Sequence, residues 1–127
     1  MKRATILTLA LILAVVTGVA LAGEKDAKTV EGTLVDAKCF LAGGFKGNDH
    51  METPKCGTAC AKSGLPDGVL TTEGKYFTVA VPSPQVAEIV GETVRATGPV
   101  KNNTITPEKL EVKKNGKWEE VKLTSVM

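Results

Sequence analysis

The order of apolar and polar residues predicts a mainly β protein with one long irregular segment. Short runs rich in β-branched residues, some with strict alternation of apolar and polar positions, are typical of half-buried strands. They amount to about five or six short strands, at residues 29–36, 69–72, 75–81, 93–100, 104–106 together with 109–113, and 117–123. Residues 39–68 lack this alternation and hold few apolar residues. We therefore expect a small β domain with a long loop inserted after its first strand.

Two further signals organise the connections between the strands. Asn115-Gly116 is the strongest hairpin signal in the chain, because both residues accept the positive φ angles of a two-residue turn. Residues 82–90 are predicted to contain one short helix, since Val86, Ile89 and Val90 would share its face. This helix would lie between the third and the fourth strand.

The stretch from Gly91 to Val112 resembles the second half of many OB-folds. In those proteins a strand with alternating valines passes a glycine into a bent continuation, and a closing strand follows. Here the alternating strand leads into Gly98-Pro99, and Leu110-Glu111-Val112 stands where the closing strand is expected. The resemblance implies a small OB-like Greek-key barrel. A fold of this kind hosts many functions, so function has to be argued from a site.

The N-terminus has the pattern of an export signal. A basic head, Met1-Lys2-Arg3, precedes an uncharged apolar run at 4–19, and Ala20-Leu21-Ala22 offers small residues to a signal peptidase. We predict a signal peptide at 1–22 and one OB-like domain at 23–127. The alternative is a membrane anchor, because about 20 apolar residues could just span a bilayer. After cleavage we expect no membrane association, a periplasmic or secreted protein, and surroundings in which thiols tend to oxidise.

Charge and composition exclude a large electrostatic interface. The formal net charge of +2 is accounted for by Lys2 and Arg3, because removing them from the 16 basic residues leaves 14 against 14 acidic residues. Aromatic residues make up only 4% of the chain, too few for the stacking platforms and basic grooves that bind single strands. We expect no nucleic-acid partner, and function has to come from a local group of side chains.

The irregular segment holds all three cysteines and the only histidine of the chain. Cys39, His50, Cys56 and Cys60 make a Cys3His set, which is a complete tetrahedral complement for zinc or copper. A helical turn over the Cys-x3-Cys unit would put both of its thiols on one face, as i and i+4 neighbours. We predict a metal site at these four residues. Without metal we expect the segment 39–68 to be disordered, since it has little core of its own.

Disulfide and redox chemistry remain open beside metal binding. Three cysteines make one pair and leave one free thiol. A disulfide between Cys56 and Cys60 is unfavourable in a helix, because their Cβ atoms would lie about 5–6 Å apart and a disulfide needs about 3.5–4.5 Å. Cys39 would therefore pair better with Cys56 or with Cys60. A thiol redox protein would instead use one exposed cysteine of low pKa near His50. Asp36 either accepts a hydrogen bond from a metal ligand or is a solvated carboxylate at a strand end.

The cysteine-containing segment resembles small exported bacterial proteins of poorly described function. In these a strand ends in Asp-x2-Cys and is followed by a glycine-rich loop with one histidine, a Cys-x3-Cys unit and a Gly-x-Pro-x-Gly turn before an OB-like sheet. Here Asp36 and Cys39 begin the pattern, and Gly64-Leu65-Pro66-Asp67-Gly68 is the turn. The resemblance implies that the cysteines and the histidine occur together, and it implies no particular ligand.

The sequence therefore favours an exported metal-binding module, with a metal ion and a possible protein as its partners. The alternatives are a secreted structural or partner-binding domain held by a disulfide, and a thiol redox protein. Whether the protein is an enzyme stays open, but a binding module is favoured: the chain has no Gly-x-Ser-x-Gly motif and no phosphate-binding Gly-Lys-Ser/Thr. A site closed by four ligands favours structure or metal carriage over hydrolysis.

Overall fold

The computed structural model describes residues 26–50 and 52–124. The predicted signal peptide at 1–22 lies outside the described residues. Within them, seven strands form one sheet: β1 (Ala27–Asp36), β2 (Asp67–Leu70), β3 (Tyr76–Val79), β4 (Thr93–Lys101), β5 (Thr104–Ile105), β6 (Lys109–Lys114) and β7 (Lys117–Glu120). Two short helices, α1 (Ala37–Gly43) and α2 (Cys56–Lys62), lie between β1 and β2. No helix in the described part of the chain is long and apolar enough to cross a bilayer.

The sheet closes into a small barrel, which confirms the predicted fold class. The strand order is β1-β2-β3-β5-β4-β6-β7, and β1 also pairs with β4, so that five strands form a ring. β3 and β5 run parallel, whereas the other neighbours are antiparallel. The first strand closes this ring by changing partner along its length: residues 27–33 pair with β4, and residues 33–36 pair with β2.

Two glycines allow the close backbone approaches that this closure needs. Gly32 stands where β1 changes partner, and a Cβ atom there would come within 2.1 Å of the Leu70 carbonyl oxygen. Gly98, in the predicted bend of β4, has the Thr106 carbonyl oxygen at the same 2.1 Å from such a Cβ. A side chain at Gly32 would push β1 away from the end of β2, and one at Gly98 would push β4 away from the connection between β5 and β6. The bend read from Gly98-Pro99 in the sequence is therefore a corner of the barrel.

The barrel interior is filled by the inward-facing residues of the alternating strands. Leu34, Val69, Val94, Ile105 and Leu110 are fully buried and belong to one apolar cluster. Two segments outside the sheet add to this cluster: α2 contributes one side chain, and the connection between β3 and β4 contributes several. The core therefore reaches beyond the sheet and holds part of the segment that carries the cysteines.

The predicted helix at 82–90 is instead a pair of 3₁₀ turns, Ser83–Gln85 and Ala87–Ile89. The three residues expected to share its face, Val86, Ile89 and Val90, are all buried, so the apolar pattern was read correctly. A continuous α-helix does not form here. Val86, between the two turns, adopts non-helical angles of φ −113° and ψ 2°, and neither turn has a side-chain cap. Prolines and β-branched residues are poor formers of a longer helix.

The segment at 39–68 is more ordered than its composition predicts. It contains most of α1 and all of α2, each seven residues long. Gly44 ends α1 in the left-handed conformation, with φ 73°, and its N–H donates to the Phe40 carbonyl oxygen. Helices of two turns are too short to be stable alone and too short to show a clear apolar period. Tertiary contacts therefore decide their existence, and the sequence pattern does not reveal them.

Candidate metal centre

The three thiols of the chain converge between α1 and α2. The Sγ atoms of Cys39, Cys56 and Cys60 all lie within 4.8 Å of one another, and each cysteine is partly exposed and free of disulfide bonds. Sulfur atoms around one tetrahedral zinc ion would lie roughly 3.8 Å apart, from a Zn–S distance of about 2.3 Å. Small side-chain movements therefore suffice for all three to bind one ion. The cluster confirms that the three predicted sulfur ligands come together.

Cys39 is positioned by the junction of β1 and α1. Asp36, the last residue of β1, is the N-cap of α1, and its Oδ1 accepts a hydrogen bond of 2.7 Å from the Cys39 backbone N–H. Asp36 is only 1% exposed, so it is not a solvated strand-end carboxylate. The Asp-x2-Cys spacing thus has a physical meaning here: the carboxylate that ends the strand also fixes the backbone of the first thiol.

Cys56 and Cys60 lie on one face of α2, as the i, i+4 spacing predicts. A distant residue, Asn48, holds the start of this helix. Its carbonyl oxygen accepts from the Gly57 N–H at 2.9 Å, and its Oδ1 accepts from the Thr58 N–H at 2.8 Å. The Thr58 hydroxyl donates to the Ala87 carbonyl oxygen at 2.9 Å, which ties α2 to the second 3₁₀ turn. The two thiols therefore stand on a helix anchored to the barrel.

His50, the fourth predicted ligand, is not among the side chains that cluster within 4.8 Å of one another. Its ring is buried, at 4% exposure, and its Nε2 lies 2.7 Å from the Gly47 carbonyl oxygen. The ring also packs against Phe45, with centroids 5.2 Å apart. The structure thus brings three of the four predicted residues together. The fourth has its Nε2 in the hydrogen bonding of its own loop, and its Nδ1 is buried without a hydrogen-bond partner among the described residues. Its role as a ligand stays a prediction.

Two of the three thiols, those of Cys39 and Cys60, have raised pKa values in this arrangement. Burial raises the pKa of Cys39 to about 12, and the Asp36 carboxylate and the other two thiols add to the rise. Burial also raises the pKa of Cys60, again with contributions from Asp36 and Cys56. Reactive redox cysteines have lowered pKa values, because the thiolate is the attacking species. A bound cation, in contrast, would stabilise all three thiolates together.

A second buried carboxyl group lies directly opposite Asp36 across the β1–β2 ladder. This residue, Asp67, is 1% exposed, and neither of its oxygens has a hydrogen-bond partner among the described residues. The hydroxyl of Tyr76, whose ring covers Gly68, is also buried without a partner in the described part of the chain. Burial, followed by the charge of Asp36, raises the pKa of Asp67 to about 7, and the Ser83 hydroxyl offsets part of this rise.

This raised pKa predicts that the metal-free protein loses stability as the pH rises. A carboxyl group whose pKa is raised on folding stabilises the folded state fully below its unfolded pKa near 4, and this contribution is lost as the pH rises through about 7. We expect the free energy of unfolding of reduced, metal-free protein, from urea titrations, to fall between pH 5 and pH 8. Asp67→Asn should be flatter over this range and about 1–2 kcal/mol more stable at pH 8. If the free energy of unfolding fell equally with pH in both proteins, Asp67 would not be the group responsible for the pH dependence.

Sequence reasoning missed Asn48, Thr58 and Asp67. Asn48 and Thr58 carry no motif, since their effect depends on a loop folding back on the start of α2. The sequence predicts Asp67 to lie in the turn 64–68, where an acidic residue between proline and glycine is ordinary. Instead β2 begins at Asp67. Its place opposite Asp36 follows from strand register, which the sequence does not specify.

Comparisons with protein-family models, with curated proteins and with solved structures gave no match. Fold and site together define a small β-barrel with a cluster of three thiols in the connection between its first two strands.

Proposed function

We propose that this protein is an exported metal-binding module that holds one zinc or copper ion through the thiolates of Cys39, Cys56 and Cys60. The observation that carries the proposal is the convergence of all three sulfur atoms within 4.8 Å. Soft thiolate ligands select zinc and copper(I) among the common biological metals. His50 is the fourth ligand that the sequence predicts.

The surroundings of the cluster support metal binding over thiol redox chemistry. Three partly buried thiols beside a buried carboxylate have raised pKa values at Cys39 and Cys60, which disfavours a reactive thiolate. A bound metal ion would displace the protons of these thiols and stabilise the resulting thiolates. The predicted export signal would direct the module to the periplasm or outside the cell, where a bound ion would also protect the thiols from oxidation.

The site is suited to holding or carrying an ion. The thiols come from two elements that the chain positions separately: α1 at the end of β1, and α2 on the barrel. A metal ion would therefore join two parts of one connection, which is how structural sites contribute to folding. Since each cysteine is partly exposed, an ion could also enter or leave from solvent.

Native mass spectrometry on protein exported by a host and purified anaerobically tests the proposal. We expect one zinc or copper ion per chain, removal of the ion by a strong chelator, and three titratable thiols afterwards. A mass two hydrogens lower, with no metal and one titratable thiol, would show that two cysteines have oxidised to a disulfide. That result would overturn the proposal in favour of a disulfide-bonded secreted domain.

A further inference from the structure

The residue directly before the first thiol of α2 has an unusual backbone conformation. Lys55 adopts φ 53° and ψ 32°, in the left-handed region that residues other than glycine seldom occupy. Its carbonyl oxygen accepts from the Ala59 N–H at 3.0 Å, so α2 starts directly from this residue. The angles of Lys55 therefore set the direction in which α2 leaves the loop, and Cys56 is the next residue. A side chain disfavours this conformation, which persists only where the surroundings hold it.

The carboxylate of Asp49 holds Lys55 in this conformation. Its Oδ1 accepts a hydrogen bond of 2.7 Å from the Lys55 backbone N–H, the short distance typical of an ionised acceptor. The loop between the two residues is also closed by a pair of backbone hydrogen bonds between His50 and Thr53, of 3.1 and 2.9 Å. A compact loop therefore presents the acceptor to Lys55.

Asp49 is itself anchored to the barrel through both of its neighbours in the chain. On one side, Asn48 holds the start of α2 and lies so close to Gly91 that a Cβ atom there would come within 2.8 Å of the Asn48 nitrogen. On the other side, His50 is buried. A chain of direct contacts therefore runs from the barrel through Asn48 and Asp49 to the backbone of Lys55.

We propose that Asp49 is a positioning residue of the metal site, which aims the Cys56 thiol at the other two thiols by holding Lys55 in the left-handed conformation. The inference rests on the proposed metal-binding function and concerns one of its three sulfur ligands. Cys60 lies one turn further along α2 and precedes Ala61, whose side chain belongs to the barrel core. Loss of the Asp49 hydrogen bond should therefore displace Cys56 and leave Cys60 in place.

The test separates the hydrogen bond of Asp49 from its charge. Asp49→Ala removes the acceptor, whereas Asp49→Asn keeps an oxygen acceptor and removes only the charge. A double variant, Asp49→Ala with Lys55→Gly, places at position 55 a residue that adopts positive φ without strain. Glu52→Ala is the matched control, because it removes the same charge from an exposed position of the same loop. Thermal melts of the metal-free variants establish that each is folded before metal is added.

Zinc affinity is then measured by competition with a chromophoric chelator. We expect Asp49→Ala to weaken zinc binding by about tenfold, at the lower end of the range for groups that orient metal ligands. Asp49→Asn, Glu52→Ala and the double variant should stay within about threefold of wild type.

Cobalt(II) in place of zinc gives the spectroscopic signature of the proposed displacement. The intensity of the sulfur-to-cobalt charge-transfer band reports how many thiolates bind the ion, and Cys56→Ser defines its value without that thiolate. We expect Asp49→Ala to lower the intensity from the wild-type value towards that of Cys56→Ser. The double variant should restore it, since the thiol of Cys56 can again reach the ion.

Three results would overturn the positioning role while leaving the metal site intact. The first is zinc affinity or band intensity unchanged in Asp49→Ala. The second is an equal loss in Asp49→Ala and Asp49→Asn, which would show that the carboxylate acts through its charge. The third is a loss in Asp49→Ala that Lys55→Gly does not relieve. A wild-type protein that binds neither zinc nor cobalt(II) would instead refute the proposed function itself, and the positioning role with it.

Discussion

Cys60→Ser is expected to lower the affinity for zinc by about 100- to 1,000-fold. Structural zinc binds with about 10–16 kcal/mol, so one of four ligands accounts for roughly 2.5–4 kcal/mol, and each 1.4 kcal/mol is a factor of ten. A serine hydroxyl is not deprotonated at neutral pH and replaces a thiolate poorly. Cys60 lies one turn after Cys56 in α2, so its loss leaves the helix with a single thiol at the metal centre. Competition with a chromophoric zinc chelator measures the loss.

Ala59→Ser is the matched control for this substitution. Ala59 is exposed and immediately precedes Cys60 in α2, so the variant carries the same new hydroxyl without removing a sulfur atom. Its zinc affinity should equal that of the wild type. If Cys60→Ser binds zinc as tightly as Ala59→Ser, the three sulfur atoms do not share one ion. The convergence of the thiols would then have no role in metal binding.

The barrel could be predicted because its strands carry their signal locally. Alternation of apolar and polar residues in β4 reports directly which face is buried, and Val94 and Ala96 are indeed fully buried. In β6 the apolar Leu110 is fully buried as predicted, but the Glu111 beside it is buried too. The glycine in the bend of β4 has a single structural reason, which is the close carbonyl oxygen of Thr106. Closure of the ring through β1 and β4 depends on long-range pairing, and the resemblance to OB-folds supplied it.

The convergence of the thiols could be predicted in part, and for physical reasons. The i, i+4 spacing makes Cys56 and Cys60 neighbours in any helix, and Asp-x2-Cys is compatible with a cap at the end of a strand. The position of His50 depends on the path of a glycine-rich loop, which ends in a short bridge between His50 and Thr53. No local sequence pattern encodes such a path. The prediction of His50 as a ligand therefore rests only on its presence in the same segment as the three cysteines.

The sequence also does not predict that the two helices of the cysteine segment differ in how much of each is buried. In α1 only Ala37 is buried, and Leu41 is 68% exposed. In α2, Thr58 and Ala61 are buried, and Ala61 belongs to the barrel core. The expectation that metal removal disorders all of 39–68 assumed one uniform loop. The structure instead indicates that α2 is held by the core and α1 mainly by its cap, by Phe40 packing on Tyr76, and by any ion that Cys39 binds.

Metal removal should therefore release α1 far more than α2. We expect amide hydrogen exchange at residues 40–44 to accelerate by about 100-fold or more when a chelator strips the ion, because a helix of two turns with little buried surface opens at small free-energy cost. Exchange at residues 59–63 should accelerate by less than about tenfold, since opening α2 would expose Ala61 and break the Thr58 bond to Ala87. Hydrogen-exchange mass spectrometry on reduced protein, with and without chelator, resolves the two peptides. Equal acceleration in both would mean that the ion holds the connection as one unit, and that the core contacts of α2 are too weak to keep it folded alone.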